Sequence, residues 1–154
     1  MSQASPKNKT DEEELLQISC FYLDKTLFGV DINLVQEINE VVNITQVPLS
    51  PDYVLGIMNL RGQIVTVIDQ CRKLGFKPSG IRDNSRVIIV KSQSECIGLL
   101  VDKITEVITV NRNRISTPPS NIKGVQGRFF QGVIQTDRQE LLALLDVETV
   151  LEDE

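Results

Sequence analysis

The sequence contains no histidine and no tryptophan, and only 5% of its residues are aromatic. Without histidine, the Ser–His and Cys–His pairs that activate nucleophiles cannot form, and zinc sites that need imidazole are excluded. Barrels that bind single-stranded nucleic acid need exposed aromatic side chains on a basic face, and this chain has few aromatic residues. Catalysis and nucleic-acid binding are therefore minority interpretations.

Cysteine is also scarce: the three residues are Cys20, Cys71 and Cys96, without a CxxC spacing. The odd count argues against a disulfide framework or a zinc site. Cys20 and Cys96 lie in apolar, strand-like stretches and are interpreted as small buried hydrophobic residues. Cys71 stands beside Arg72 and Lys73, which would lower its pKa, so a small enzyme that uses this thiol stays open as an alternative.

Long apolar runs are absent too. No run approaches the roughly 18 residues of a membrane-spanning helix. Residues 1–14 contain lysines with no apolar stretch behind them, which is not the pattern of a secretory signal. We therefore expect the protein to stay in the cytosol.

Charge of one sign dominates only at the ends of the chain. Of 16 basic and 21 acidic residues, two lysines and seven acidic residues lie in the terminal segments, which leaves 14 of each sign in residues 15–151. A phosphate-binding surface usually shows a basic excess, so the composition argues against nucleic acid as the main partner. Residues 1–14 are predicted to be a disordered polar and acidic tail, and residues 148–154 form an acidic end.

Short β-branched runs separated by turn residues dominate the rest of the chain, as in small barrels or sandwiches. Helical turns are expected only near residues 33–35, 71–74 and 147–151. The ten predicted strands are residues 18–23, 27–32, 36–42, 53–59, 63–68, 86–90, 97–101, 106–110, 129–134 and 141–145.

An internal repeat organises these strands. Residues 28–38 match residues 97–107 at a constant offset of 69, so that glutamates 37 and 106 coincide. Gly56 matches Gly132 at an offset of 76, and the following strands match at 77. Two similar β units, each too small to be stable alone, are stabilised when they pack together. We therefore predict a pseudo-twofold pair of small β-barrels.

The most informative stretch is residues 54–69, which predict a β-hairpin with a tight turn at Leu60-Arg61-Gly62. Gly62 supplies the positive φ that such turns need. Gly56 marks a place where another backbone or a partner comes close. Arg61 projects from the turn, and a solvated side chain without a further role is the alternative to partner contact.

Three motifs follow one another along the chain: Val-Gln-Glu-Ile at 35–38, Asn-Leu-Arg-Gly at 59–62 with Ile-Asp at 68–69, and Gly-Leu-Leu-Val-Asp at 98–102. In their order and spacing, these motifs resemble the CheW-type chemotaxis coupling proteins. The resemblance covers about residues 17–151. Two departures are Gln70, where the family usually has Leu, and Asp137-Arg138-Gln139, where Asp-Gly is typical.

The resemblance implies a mainly β fold of two intertwined or packed five-stranded SH3-like barrels within a single domain of residues 15–151. Barrel 1 is expected at about residues 17–84 and barrel 2 at about residues 85–147, with short helical turns and a short C-terminal helix.

The resemblance also implies an adaptor without catalytic residues, cofactor or metal. Such proteins couple the cytoplasmic tips of methyl-accepting chemoreceptors to the regulatory domain of a chemotaxis histidine kinase in membrane-associated arrays. We expect a monomer when free, with no nucleic-acid partner and no membrane insertion. A chemosensory system that controls surface motility or another output is the alternative, and a nucleic-acid-binding barrel is a remote one.

Partner-binding positions are carried over residue by residue, with an ion pair between Glu37 and Arg61 expected to orient the hairpin. Simple core packing is the alternative for Ile104 and Val107, and a solvated strand face for Glu37. Gly98, Ile104 and Val107 are assigned to the second barrel. The full set is Val35, Glu37, Gly56, Asn59, Arg61, Gly62, Gly98, Ile104 and Val107.

Overall fold

The computed structural model describes residues 14–41, 43–77, 80–93, 95–122 and 124–152. The predicted N-terminal tail lies outside the described residues except for Glu14, and so do the last two residues of the acidic end. No helix in the described part is long and apolar enough to cross a membrane.

Ten strands form two five-stranded sheets, which confirms the predicted mainly β architecture. One sheet, here the terminal barrel, contains β1 (Leu15–Leu23), β2 (Thr26–Asp31), β8 (Lys103–Asn111), β11 (Phe130–Gln135) and β12 (Leu141–Leu145). The other, the central barrel, contains β3 (Val35–Glu40), β4 (Val54–Leu60), β5 (Gln63–Asp69), β6 (Arg86–Ser92) and β7 (Glu95–Val101). The strand orders are β11-β12-β2-β1-β8 and β3-β6-β7-β5-β4.

The remaining elements are short. A two-stranded ribbon and three 3-10 turns lie in the connections, and each repeat of the chain ends in one short helix. They are β9 (Asn121–Ile122), β10 (Val125–Gln126), the 3-10 turns Ile32–Leu34, Arg112–Arg114 and Gly127–Phe129, and the helices α1 (Gln70–Leu74) and α2 (Val147–Glu152). The helical turns expected near residues 33–35, 71–74 and 147–151 are therefore confirmed.

The two barrels exchange hairpins between the halves of the chain. The β1–β2 hairpin pairs with strands of the C-terminal half, and the β6–β7 hairpin joins β3, β4 and β5. This corrects the predicted division at about residue 84, because the hairpin that opens each repeat completes the barrel of the other repeat. Reading the two sheets from opposite ends, equivalent strands occupy equivalent places, with a parallel β5–β7 pair matching a parallel β12–β2 pair.

A shared hydrophobic core joins the barrels. Phe28 of the terminal barrel stacks on Phe21 and Phe130, with ring centroids 6.0 and 5.8 Å apart, and meets Phe76 edge-on at 5.9 Å. The same buried cluster includes Ile88 and other side chains of the central barrel. Each barrel also has a smaller apolar cluster of its own. The largest apolar cluster therefore contains side chains of both barrels.

An aspartate at the end of a strand starts each short helix. Asp69 Oδ1 accepts hydrogen bonds from the backbone N–H groups of Cys71, at 3.1 Å, and Arg72, at 3.4 Å. Asp146, its counterpart in the repeat, accepts one from the Thr149 N–H at 3.2 Å. These carboxylates satisfy N–H groups that a helix N-terminus leaves unpaired. The Ile-Asp motif is therefore explained by helix capping.

Gln70, one of the departures from the CheW-type pattern, is fully buried, and its amide oxygen and nitrogen have no partner within the described residues. A buried polar group without a hydrogen bond costs about 1–3 kcal/mol. We therefore expect Gln70→Leu to raise the free energy of unfolding by about 1–2 kcal/mol in urea denaturation. Gln63→Leu, at an exposed position, is the control and should change it by less than about 0.5 kcal/mol. A loss of stability in Gln70→Leu would contradict the prediction.

Candidate partner-binding site

The β4–β5 hairpin has the predicted tight turn. Leu60 pairs with Gln63, and the two residues between them, Arg61 and Gly62, have φ values of 53° and 84°. Positive φ at both central positions is the pattern of two-residue hairpin turns whose twist matches the strands. The Asn59 side chain accepts a hydrogen bond from the Gly62 N–H at 2.8 Å, which fixes the turn. The Arg61 side chain is 76% exposed.

Arg61 reaches across to Glu37 on β3 and makes the predicted ion pair. The distances are 2.6 Å from Arg61 Nη1 to Glu37 Oε2 and 3.0 Å from Nη2 to Oε1. Two parallel hydrogen bonds of this kind fix the relative orientation of both groups. This ion pair is here called the clasp. Because β3 and β4 are the two edge strands of the central barrel, the clasp spans the gap between these two strands.

A β-bulge directs Glu37 toward the hairpin. The pairing of β3 with β6 shifts register between Val35 and Glu37. A bulge adds one residue to a strand and re-aims the side chains beside it. The pairing of β8 with β1 has a register shift at the matching place of the repeat, beside Glu106.

The clasp sets the protonation of its members. The hydrogen bond from Arg61 lowers the pKa of Glu37 below its usual value, and the same bond raises the pKa of Arg61. Because the pKa of Glu37 is lower in the folded state, the contribution of the clasp is complete above the ordinary glutamate pKa. It is lost as the pH falls through the lowered value. Arg61 is exposed and Glu37 is partly exposed, so salt screens the pair, and the clasp matters for orientation more than for stability.

Exposed apolar side chains flank the clasp in sequence, and sequence reasoning missed them. Ile38 follows Glu37 on β3 and is 40% exposed, and Ile64, on β5 opposite Asn59, is 60% exposed. The loop before β4 presents Leu49, which is fully exposed and has a φ of 64°. The Ser50 hydroxyl donates to the Val47 carbonyl at 2.8 Å and braces this loop. The sequence signal for this exposed side chain is that Leu49 lies between Pro48 and Pro51.

Comparison with known proteins identifies the family. The family model described as a CheW-like domain matches residues 17–154. The chain belongs to the CheW-like family. It is 29% identical to a probable chemotaxis protein CheW of Rhizobium etli over 99% of this chain and 96% of the relative. It is 30% identical to the chemotaxis protein CheW of Bacillus subtilis over 95% of this chain and 90% of the relative.

A solved structure shares the fold. The crystal structure of the scaffolding protein TtCheW from Thermoanaerobacter tengcongensis superimposes with a TM-score of 0.83 at 34% sequence identity. The match covers 90% of this chain and 89% of that one. The exchanged pair of barrels is therefore the CheW-like fold.

Four of the positions carried over from the CheW-like pattern meet at the clasp, and one adjoins it. Glu37, Asn59, Arg61 and Gly62 form the clasp and its turn. Val35 lies two residues along β3, is half-buried and packs against the shared core. The clasp is thus the one place in the described chain where several predicted positions come together.

Gly56 and Gly98 are buried, and their surroundings are other parts of the same chain. A Cβ at Gly56 would lie 2.3 Å from the Thr45 carbonyl oxygen, so the close approach predicted there is made by the chain's own backbone. A Cβ at Gly98 would lie 2.7 Å from Val87. Gly98 also belongs to β7 of the central barrel, which corrects its assignment to the second barrel and follows from the hairpin exchange.

The other two predicted positions lie on β8 of the terminal barrel, away from the strands that form the clasp. Ile104 is half-buried and packs against the shared core. Val107 is 49% exposed. Of the two, Val107 therefore has the side chain that a partner can reach.

The cysteines correct one expectation. Cys71 is only 3% exposed, and burial raises its pKa to about 12. The lowered pKa suggested by the neighbouring cations is wrong, because burial of the thiol, and after it the negative charges of Asp102, Asp69 and Asp24, raise the pKa of Cys71. Burial likewise raises the pKa of Cys20 to about 11, whereas Cys96 is half-buried. Within the described residues no group of histidine, cysteine or acidic side chains is placed to hold a metal ion.

Proposed function

We propose that this chain is a chemotaxis coupling adaptor that links the tips of methyl-accepting chemoreceptors to a chemotaxis histidine kinase. It acts as a scaffold without catalysis or cofactor. Membership of the CheW-like family supports this role, as does the likeness to a solved scaffolding protein. The observation that carries it is the clasp, a pre-oriented, solvent-facing feature on an otherwise ordinary pair of barrels.

The kinase surface proposed here is the clasp with its apolar flanks. Asn59 and Arg61 are exposed and Glu37 is partly exposed, and Ile64, which pairs with Asn59, supplies exposed apolar area beside them. Gly56, Gly62, Gly98 and Val35 serve this surface indirectly, by allowing the turn and the packing behind it. Apolar contact with a charged, ordered border is the usual composition of a specific interface.

The receptor surface proposed here lies on β8 of the terminal barrel and includes Val107, with Ile104 behind it. Because the clasp and β8 belong to different barrels, one chain can hold two partners at once. In this role the protein works in the cytoplasm beside membrane receptor arrays and is a monomer when free. A chemosensory system with another output would use the same two surfaces.

The test is a calorimetric titration of the full chain with the regulatory domain of a chemotaxis kinase from the same cell. We expect saturable one-to-one binding. Because the proposed contact is largely apolar, its affinity should change less than about tenfold between low and physiological salt. Absence of binding to any such kinase would overturn the coupling role, and a steep loss of binding with salt would contradict the apolar interface.

A further inference from the structure

Asn39 lies two residues after Glu37 on β3, and its side chain is on the same face of the strand. Glu37 pairs with Ile89, and Asn39 pairs with Val87. Side chains of directly paired residues lie on one face of a sheet. Ile89 and Val87 both belong to the apolar cluster of the central barrel. Glu37 and Asn39 are therefore neighbours on the face of β3 that is turned toward this cluster.

The β-bulge in β3 brings these two side chains together and removes a third. In a regular strand, Val35 would share the face of Glu37, because side chains alternate with a period of two. The register shift between Val35 and Glu37 instead pairs Val35 with Val90, which belongs to the shared core. The bulge thus leaves Glu37 and Asn39 together and directs Val35 to the other face.

The two ends of the Asn39 amide have different surroundings. After the larger effect of Arg61, a hydrogen bond that the Asn39 side chain donates to the Glu37 carboxylate also lowers the pKa of Glu37. Asn39 Oδ1 is buried and has no hydrogen-bond partner in the described part of the chain. A carboxylate has about four acceptor positions, so it can accept from two side chains at once. Glu37 is held by Arg61 from the β4–β5 hairpin and by Asn39 from its own strand.

For the stability of the fold alone, asparagine is a poor choice at this position. Asparagine is depleted in β-strands, and a buried acceptor without a donor destabilises the folded state. A leucine, which has a similar shape, would remove both disadvantages. Residues that break the local rules of stability are concentrated at functional sites. The N–H group that Asn39 directs at Glu37 is the feature that a leucine could not supply.

We propose that Asn39 is a positioning residue of the clasp, whose amide holds the Glu37 carboxylate in the orientation that the two hydrogen bonds from Arg61 require. Asn39 acts through Glu37 and does not itself contact the partner. The hold on Glu37 exists in the free protein. Its consequence for kinase affinity rests on the proposed coupling function.

The first test is a pH titration of the ¹⁵N-labelled full chain, followed by NMR. The side-chain N–H resonances of Asn39, assigned by their loss in Asn39→Leu, should shift as the Glu37 carboxyl group titrates, because protonation removes the charged acceptor. In Glu37→Gln this shift should disappear. Side-chain resonances of Asn39 that do not respond to pH, or that shift equally in Glu37→Gln, would overturn the proposal.

The second test separates positioning from a structural role. In Asn39→Leu, which lacks the donor, we expect the pKa of Glu37 to rise toward the ordinary glutamate value, as followed by its ¹³C carboxyl resonance. The midpoint of urea denaturation should stay the same or increase. Asn113→Leu, the same change in a 3-10 turn outside the central barrel, should leave the pKa of Glu37 unchanged. An unchanged pKa in Asn39→Leu, or an equal rise in both variants, would contradict the proposal, and the first test decides it if Asn39→Leu does not fold.

The third test measures kinase affinity by the calorimetric titration described above. Asn39→Leu is expected to bind the kinase regulatory domain about three- to tenfold more weakly. This loss should disappear when Arg61→Gln is already present, because the clasp that Asn39 serves is then broken. Independent, additive losses would show that Asn39 contacts the partner directly, and the proposal would be wrong. If the unmodified chain binds no kinase, the coupling role fails, whereas the two NMR measurements still decide whether Asn39 holds Glu37.

Discussion

Replacing Gly56 by alanine is expected to lower the free energy of unfolding by about 3 kcal/mol. The added Cβ would lie 2.3 Å from the Thr45 carbonyl oxygen, and the φ of 154° is one that residues with a side chain rarely adopt. Thr45 cannot withdraw easily, because its N–H and carbonyl both bond to Ile57 at 2.8 Å. That bridge closes the central barrel beside β4, so relief of the clash would break it. Urea denaturation of the purified variant measures the loss.

Two other glycines serve as controls for this prediction. Gly62 has a φ of 84° but open space around its Cβ position, so Gly62→Ala should cost only about 1–2 kcal/mol of backbone strain. A Cβ at Gly132, the counterpart in the terminal barrel, would lie 2.6 Å from the Ser116 carbonyl oxygen, and Gly132→Ala should resemble Gly56→Ala. A loss of less than about 1 kcal/mol in the free energy of unfolding of Gly56→Ala would show that Thr45 can move aside for the added methyl group. Any loss of partner binding in Gly56 variants is then expected to follow from unfolding.

The strands could be predicted because their causes are local. Alternating and β-branched runs bounded by turn residues identified all ten strands of the two barrels, and the repeat showed that they fall into two equivalent sets. The exchange of hairpins could not be predicted this way. β2 and β7 carry nearly the same pattern, so either could pair in parallel with β5 or with β12. The observed pairing places Phe28 of β2 against Phe21 and Phe130, a contact of three-dimensional packing that strand patterns do not reveal.

The site was predictable where sequence position fixes geometry. A two-residue turn has one tip, so Arg61 had to project from it, and a long cation there can reach a neighbouring strand. The repeat matches Glu106 to Glu37, but within the described residues Glu106 has no ion pair, and the repeat could not predict this difference. The β11–β12 connection is one residue longer than the β4–β5 turn, as the change of offset from 76 to 77 shows, and its contacts are with Arg114 and Tyr22. The buried amide of Gln70 is likewise a property of packing.

Reversing the charge at the tip of the clasp is expected to weaken kinase binding by about tenfold or more without unfolding the protein. Arg61→Glu places two carboxylates where a bidentate ion pair stood, and repulsion turns the exposed hairpin tip away from β3. Arg61 is 76% exposed, so the midpoint of urea denaturation should not change. The calorimetric titration with the kinase regulatory domain measures the effect. Normal binding by this variant would show that the clasp has no part in the interface.

The double variant Glu37→Arg/Arg61→Glu tests how the clasp acts. It restores the ion pair in the opposite sense, so if the clasp works by orienting the hairpin, most of the lost affinity should return. Arg82→Glu makes the same charge change at an exposed site away from the clasp and should bind normally. Failure of the double variant to recover would mean that the partner contacts the guanidinium itself.

Acidification provides an independent test of the same mechanism. Because Arg61 lowers the pKa of Glu37, the carboxylate stays charged below the pH at which an isolated glutamate is protonated. The affinity for the kinase should therefore stay constant as the pH falls to the ordinary pKa of glutamate and should decline only below it. The folded state of the protein is monitored in parallel over the same pH range. In Arg61→Gln this lowered pKa is lost, so any residual affinity that depends on the Glu37 charge should decline at a higher pH. Identical pH profiles for the unmodified protein and Arg61→Gln would show that the clasp has no part in partner binding.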